Sequence, residues 1–407
     1  MIGWISVQKF KNWWRKWGVL VIIVAVGGWL RLKNLDTPAD YVFDEVYHAP
    51  VVDMMARGDA RAWEWWHTMD EVSAEYGAGT MIDWLHPPLA KLVQSIPVRI
   101  WGYHWWTIRL ASALCGTATI VVMYWLAREA WPGRRGLAQA AAALLAIDGV
   151  HVAMSRLCMN DVFVTFWVVV AAACFWRARA RQKPPAWLAA GLAVGAAAAS
   201  KWSGVLLLPA LITVELYDFW QDRNIKKHVA TCVLLVSCTI FVYMAAYAGL
   251  FAGHGWSHFV ELHRQIWWYQ TTLEATHPFA SPAWSWPLAL KPVYLYAGEG
   301  VALYNKPFYL TWWWHVIAVA IMGVAAVDKL SAPGRERRAF FRRHAGCYFL
   351  LLGWAWLWAP WLVSPRIMFF HHYLPAVTLV WPVVAAVGAE GWAKLQAWWR
   401  LDKSDDV

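Results

Sequence analysis

Apolar segments of about twenty residues recur along this chain from Trp17 to about Val387, and no other feature constrains the fold as strongly. Each is long enough to cross a hydrocarbon core of roughly 30 Å as a helix. Within lipid the backbone must satisfy its own polar groups, so runs of this kind predict an all-α polytopic membrane protein. With 60% hydrophobic and only 15% charged residues, a soluble domain would have nowhere to bury them. Ten spans are expected, near 17–34, 106–127, 136–154, 158–176, 186–200, 203–220, 229–251, 308–328, 346–364 and 367–389. The Ala/Gly-rich run 186–200 is barely long enough to cross.

The charge distribution orients these spans. Residues 1–16 carry Lys9, Lys11, Arg15 and Lys16 with no acid, and the linker 177–183 carries Arg177, Arg179, Arg181 and Lys183. Residues 329–345 hold six Lys/Arg against one Glu, whereas 33–105 hold eleven Asp/Glu against five Lys/Arg. An excess of Lys/Arg marks cytoplasmic loops. Both termini are therefore expected inside, and the loops 33–105 and 252–307 outside. The net charge of +10 is explained by topology and calls for no nucleic-acid partner. A basic start followed by an apolar run without a small-residue cleavage site reads as an uncleaved signal anchor. The six cysteines lie in or at the ends of apolar spans without metal-ligand spacing, as small core residues would. Most of the 35 tryptophans suit interfacial belts. The whole chain, 1–407, reads as one transmembrane domain, with 391–407 (beginning WAKLQAWWRL) as an amphipathic tail on the inner surface.

The ionisable residues gather at one depth. Asp44 and Glu45 follow the first span in YVFDEVYHAP. Arg31 ends that span, Arg109 lies just inside the second, and Arg156 and Asp161 bracket the turn SRLCMND. Lys201 sits in ASKWSG, and Arg366 precedes His371 and His372 at the head of the last span. All map to the outer half. Charges beside membrane spans are costly and usually face a polar cavity or each other. Such a set can hold an anionic lipid head group on its cations while a carboxylate does acid–base work. Within the first outer loop, LHPPLAKLVQSIPVRIW has the spacing of a helix lying on the interface, starting at Pro87-Pro88.

Seven segments in order, FDEVYHAP, HPPLAKL, IRLASALCGT, SRLCMND, AVGAAAASKWSGV, HPFASPAWSWPL and PRIMFFHHYLPA, resemble the motifs of the protein O-mannosyltransferase family. The resemblance runs from about residue 25 to 390. It implies a GT-C-type bundle of about ten helices with interfacial helices in the outer loops. It also implies mannose transfer from a polyprenyl-phosphate carrier to Ser or Thr hydroxyls of exported polypeptides, at the cell membrane with an extracytoplasmic site. By resemblance, Asp44 occupies the catalytic acidic position with Glu45 beside it, Arg31 and Arg109 occupy basic positions near the carrier phosphate, and Asp161 is an acidic residue of the second outer turn. Metal-independent transfer is expected; a divalent ion is possible chemically, but DE is not the DxD spacing associated with one. Members typically carry an eleventh span, and here the chain stops after the tenth. The loop 252–307 is too short for the β-trefoil of eukaryotic members, as in the bacterial branch.

The chemistry fits independently. A hydroxyl attacking a sugar C1 must lose its proton, which a placed carboxylate accepts as general base. The oxocarbenium-like state favours nearby negative charge. The leaving phosphate favours preorganised cations, for which Arg31, Arg109 and Lys201 are candidates. Asp161, His371, His372 and Arg366 are supporting candidates, and His86, His277, Trp284 and Trp286 are candidate sugar or acceptor contacts. Each has a structural alternative: snorkelling for Arg31, Arg109 and Lys201, helix capping for Asp161, turn formation for His86 and His277, packing for His371 and His372, an interfacial belt for the two tryptophans. The same residues would serve transfer to a lipid or polysaccharide acceptor. A transporter would place charges through the mid-membrane, with inverted repeats and broken helices.

Overall fold

A computed structural model describes residues 7–298 and 301–402. Among the described residues, six helical segments are long and apolar enough to cross a membrane: Trp105–Ala130, Asp161–Arg181, Trp202–Asp222, Ile225–Ala246, Tyr309–Leu330 and Ala345–Val363. A seventh span is a bent pair, Phe370–Thr378 and Trp381–Ala397, broken by 54°. Ten spans are thus not reached on length and composition, although helices occupy the other three expected places. Val7–Leu32 covers the first. The third is broken into Arg135–Ala146 and Gly149–Met154, and Pro184–Ser200 has only 17 residues.

The break at 147–148 has a specific cause. Asp148 caps the second piece, accepting from the backbone N–H of Val150 at 3.0 Å and of His151 at 3.3 Å. Its other oxygen accepts the Trp381 indole N–H at 3.0 Å, tying this break to the last helix. The short Ala/Gly helix gains its place by close approach. A Cβ on Gly191 would stand 2.8 Å from Cys238 Cβ and 3.2 Å from Leu235 Cα, so only glycine lets the 184–200 and 225–246 helices meet.

The loop 33–105, named the first outer loop after its expected side as 252–307 is the second, folds into a cap of short helices, Glu45–Arg57, Met69–Tyr76 and Leu89–Trp101. Leu89–Trp101 starts where the proline pair predicts, with Pro88 at its N-cap. It leaves Ile96, Ile100 and Trp101 exposed, as an interfacial helix should. Thr68 and Glu71 form a reciprocal capping box at the start of Met69–Tyr76. The second outer loop contains the helix Trp256–Thr272 and a departure from the all-α expectation, an antiparallel hairpin of Tyr294–Gly298 with Val301–Tyr304. This loop is docked on the final helices: Ser281 N–H donates to Met368 C=O at 2.9 Å, and the Trp358 indole to Ala283 C=O at 2.9 Å.

The tail expected as a separate amphipathic segment instead continues the helix Trp381–Asp402, with Trp392 and Leu395 exposed; residues 403–407 lie outside the described residues. Tryptophans divide between two roles. Trp256, Trp267 and Trp268 are exposed on the helix Trp256–Thr272, whereas Trp286, Trp312 and Trp381 are among the largest fully buried side chains.

Candidate active site

The turn that presents Asp44 is strained. Phe43 has φ +54°, a left-handed conformation disfavoured for a bulky side chain. Its ring is held edge-on by Phe369 and His371, each 5.6 Å away between centroids, and by His277 at 6.3 Å. The first outer loop is thereby pinned to the head of the last span. Asp44 follows as N-cap of Glu45–Arg57, yet its side chain makes no capping hydrogen bond. Burial pushes its carboxyl up to about 6, opposed by the charges of His48 and Lys201 and reinforced by those of Asp161 and Asp83.

Its neighbour Glu45 has the opposite fate. It is fully buried and accepts four donors: Arg109 Nε at 2.9 Å, Arg109 Nη2 at 2.7 Å, and the backbone N–H groups of Val42 at 2.9 Å and Cys158 at 2.8 Å. Arg109 is equally committed, since its remaining N–H groups donate to the carbonyls of Leu35, Pro38 and Asp40 at 2.7–2.9 Å. A guanidinium has five N–H donors, and here all are occupied. Glu45 as a second catalytic acid and Arg109 as a phosphate ligand are both expectations this geometry revises. The pair is a clamp joining the first outer loop to the Trp105–Ala130 span and the 155–160 turn.

Arg31 also faces inward. It is fully buried, donating from Nη1 to the carbonyls of Gly27 (2.8 Å) and Ala146 (3.0 Å), and from Nη2 to Leu145 C=O (3.1 Å), with His151 Nδ1 3.0 Å away. It ties the first helix to the broken third one through both Nη groups, while its Nε is buried without a hydrogen-bond partner among the described residues. Arg156 spreads over the carbonyls of Leu30, Arg31, Lys33 and Asn34.

Other predicted residues do converge. Lys201 Nζ donates to both oxygens of Asp161, at 2.9 and 3.2 Å, in a buried pair. The sharp ASKWSG turn that delivers Lys201 requires Gly204, whose Cβ would stand 2.3 Å from the Ala197 carbonyl carbon. His371 is buried and stacked on Phe369, and its Nδ1 has no protein partner. His372 stacks on Trp361 and accepts the Phe369 backbone N–H at 3.1 Å, so it shapes the loop. Arg366 reaches Gln270 on the second outer loop. Burial lowers its pKa, and the nearby Tyr269 and Asp44 oppose that shift, which places Arg366 on the Asp44 side of the cluster.

The proposed aromatic contacts separate. Trp286 is fully buried with its indole N–H on Ser281 Oγ at 3.0 Å, packed against Trp361 and His372. It belongs to the hydrophobic core. Trp284 is exposed. His277 accepts the Phe279 N–H at 3.1 Å and caps its own turn beside Phe43.

A further polar hub escaped the sequence reading. Asp83 is buried and accepts from Lys91 Nζ (3.1 Å), Leu85 N–H (3.1 Å) and His86 Nδ1 (2.9 Å), and His48 Nδ1 lies 2.9 Å from it. Burial alone would raise its carboxyl, but His86, Lys91 and His48 carry it well below the usual range. Burial pushes His86 down to about 4, opposed by the charge and hydrogen bond of Asp83. One signal for His48 was available: it lies four residues after Asp44, on the same helical face. Lys91 stood in the quoted HPPLAKL without a role. His48, Asp83 and His86 are also the set of side chains that could converge on a cation.

The comparisons with known proteins agree with this architecture. Residues 85–247 match the model of dolichyl-phosphate-mannose-protein mannosyltransferases, and 255–399 that of the C-terminal four-span region of protein O-mannosyltransferases. A polyprenol-phosphate-mannose–protein mannosyltransferase of Mycolicibacterium smegmatis is 26% identical over 91% of this chain and 82% of its own. One of Corynebacterium glutamicum is 21% identical over 95% and 85%. Among solved structures, the Saccharomyces cerevisiae Pmt1–Pmt2 complex bound to its sugar donor aligns with TM-score 0.77, at 14% identity over 91% of this chain and 85% of that one. ArnT of Cupriavidus metallidurans bound to undecaprenyl phosphate aligns at 0.58, with 17% identity over 91% and 60%. With both family models matched in order, over the turns that carry Asp161, Lys201, His371 and His372, this multi-span membrane chain belongs to the protein O-mannosyltransferase family.

Proposed function

We propose that this protein transfers mannose from a polyprenyl-phosphate carrier to Ser or Thr hydroxyls of exported polypeptides, at the outer face of the cell membrane, with Asp44 as general base. One observation carries the reading of the site. Of the two adjacent carboxylates, Glu45 is saturated by protein donors, whereas Asp44 is left without a cap partner among residues of both charges. The names of the relatives supply the donor and acceptor classes.

In the reaction the acceptor oxygen bonds to C1, its proton passes to an Asp44 oxygen, and the C1–O bond to phosphate breaks. The electron pair leaves with the carrier phosphate. Leaving-group charge then has to be met by cations, and the geometry favours Lys201 and Arg366, because every N–H of Arg109 and both Nη groups of Arg31 already face protein acceptors. Asp161 orients Lys201, and His371 with its unpartnered Nδ1 is placed for a polar contact to the donor. Trp284, with His277 nearby in the chain, remains the exposed candidate for acceptor contact. The exposed arginines of the helix Gly334–Arg343 support reading it as a cytoplasmic loop, with both termini inside and the cluster outside.

Incubating the purified protein with radiolabelled polyprenyl-phosphate mannose and a Ser/Thr-rich peptide tests the proposal. Label on the peptide hydroxyls is expected. Label only on lipid or polysaccharide would retain the transferase chemistry and overturn the polypeptide acceptor.

A further inference from the structure

The Asp83 hub has a geometry that its hydrogen bonds do not exhaust. Asp83 Oδ1 lies 2.9 Å from His86 Nδ1, and Oδ2 lies 2.9 Å from His48 Nδ1. The second contact is off the hydrogen-bond line, which leaves the His48 Nδ1 without a hydrogen-bond partner although the residue is only 4% exposed. One ligand atom from each of the three side chains falls within 4.8 Å of the others. Two imidazole nitrogens and one carboxylate oxygen are a common donor set for zinc, with bonds of roughly 2.0–2.2 Å that put neighbouring ligand atoms about 3 Å apart.

Lys91 is the obvious rival for this place, since its ammonium also contacts Asp83 Oδ2. Its other two N–H groups, however, are held by the carbonyls of Asp83 and His86. A carboxylate has about four lone-pair sites, so Lys91 and a cation can share Asp83. We propose that His48, Asp83 and His86 form a binding site for one divalent cation of the zinc class, which clips the second turn of the Glu45–Arg57 helix to the loop before Leu89–Trp101. Asp44 is not among its ligands. The cation would hold the helix that carries the base and take no part in the bond changes, so the inference stands whether or not mannose is the sugar moved.

The test uses the full-length protein in detergent, stripped with a chelator and titrated with Zn²⁺. The wild type should retain one equivalent after gel filtration and melt at a higher temperature with it. X-ray absorption on that sample should show two imidazole ligands. His48→Asn and His86→Asn should each bind at least about 100-fold more weakly, with the zinc-dependent rise in melting temperature lost relative to each variant's own value in chelator. Absence of stoichiometric binding by the wild type overturns the site and leaves Lys91 as the only cation on Asp83. Binding undiminished in both variants, or a spectrum without two imidazoles, overturns it as well. The absorption spectrum keeps the question decidable should a variant fail to fold.

Discussion

Asp44 and Glu45 share a peptide bond and diverge in everything that follows. Glu45 exchanges water for four donors and a bidentate guanidinium. Removing one partner of such a buried pair leaves an uncompensated charge, at a cost of about 3–5 kcal/mol. Arg109→Ala should therefore lower the unfolding free energy by roughly that amount, read by denaturant titration in detergent. Asp44 should behave in the opposite sense. Its folded pKa of about 6 lies above the unfolded value of about 3.9. The stability linked to this group is therefore fully present below about pH 4 and lost as pH rises through 6. Asp44→Asn should melt higher than the wild type at pH 8, and that advantage should vanish at pH 4. As a general base the group must be ionised, so kcat/KM should rise with pH through about 6 in the wild type. The sequence places both acids in the right turn and cannot tell them apart. What separates them is Arg109, 64 residues away, and the backbone of Cys158, 113 away.

At the level of elements, the site depends on turns that bring charged residues to span ends at one depth. Lys201 and Asp161 come from different spans and meet because ASKWSG turns tightly over Ala197. A methyl group on Gly204 would meet that backbone at 2.3 Å, with no flexible side chain to give way. Gly204→Ala should therefore reduce thermal stability and weaken donor binding together, whereas the double variant Lys201→Met/Asp161→Asn, which leaves no buried charge unpaired, should weaken donor binding far more than folding. Donor photolabelling alongside a melting curve distinguishes the two. The elements were largely legible from hydropathy: every expected span coincides with helix. The breaks were not. Asp148 reads as one acid near the end of an apolar run, and its role emerges only with Trp381, which joins it from the opposite end of the chain. Arg31 was ambiguous for a similar reason, because a basic residue at a span end looks the same whether it turns to a phosphate or to the carbonyls of a broken neighbouring helix.

Across the whole molecule, the arrangement separates three polar networks that the sequence had merged into one. Arg31 with His151 and Glu45 with Arg109 lock the outer ends of the early helices, while Asp44, Asp161, Lys201, His371 and Arg366 share one electrostatic neighbourhood. The first outer loop and the second close over that neighbourhood from both sides, through Phe43 on Phe369 and Arg366 on Gln270. Residue chemistry and motif order made the reaction class legible, and the partition of cations between framework and donor required the fold. The central claim is that Asp44 takes the acceptor proton. Its most direct measurement is the single-turnover rate of mannosyl transfer by Asp44→Asn against the wild type, with donor affinity measured on the same samples. The account predicts a loss of roughly 10²–10⁴-fold in rate with donor affinity retained. An Asp44→Asn protein that transfers mannose at the wild-type rate would contradict it.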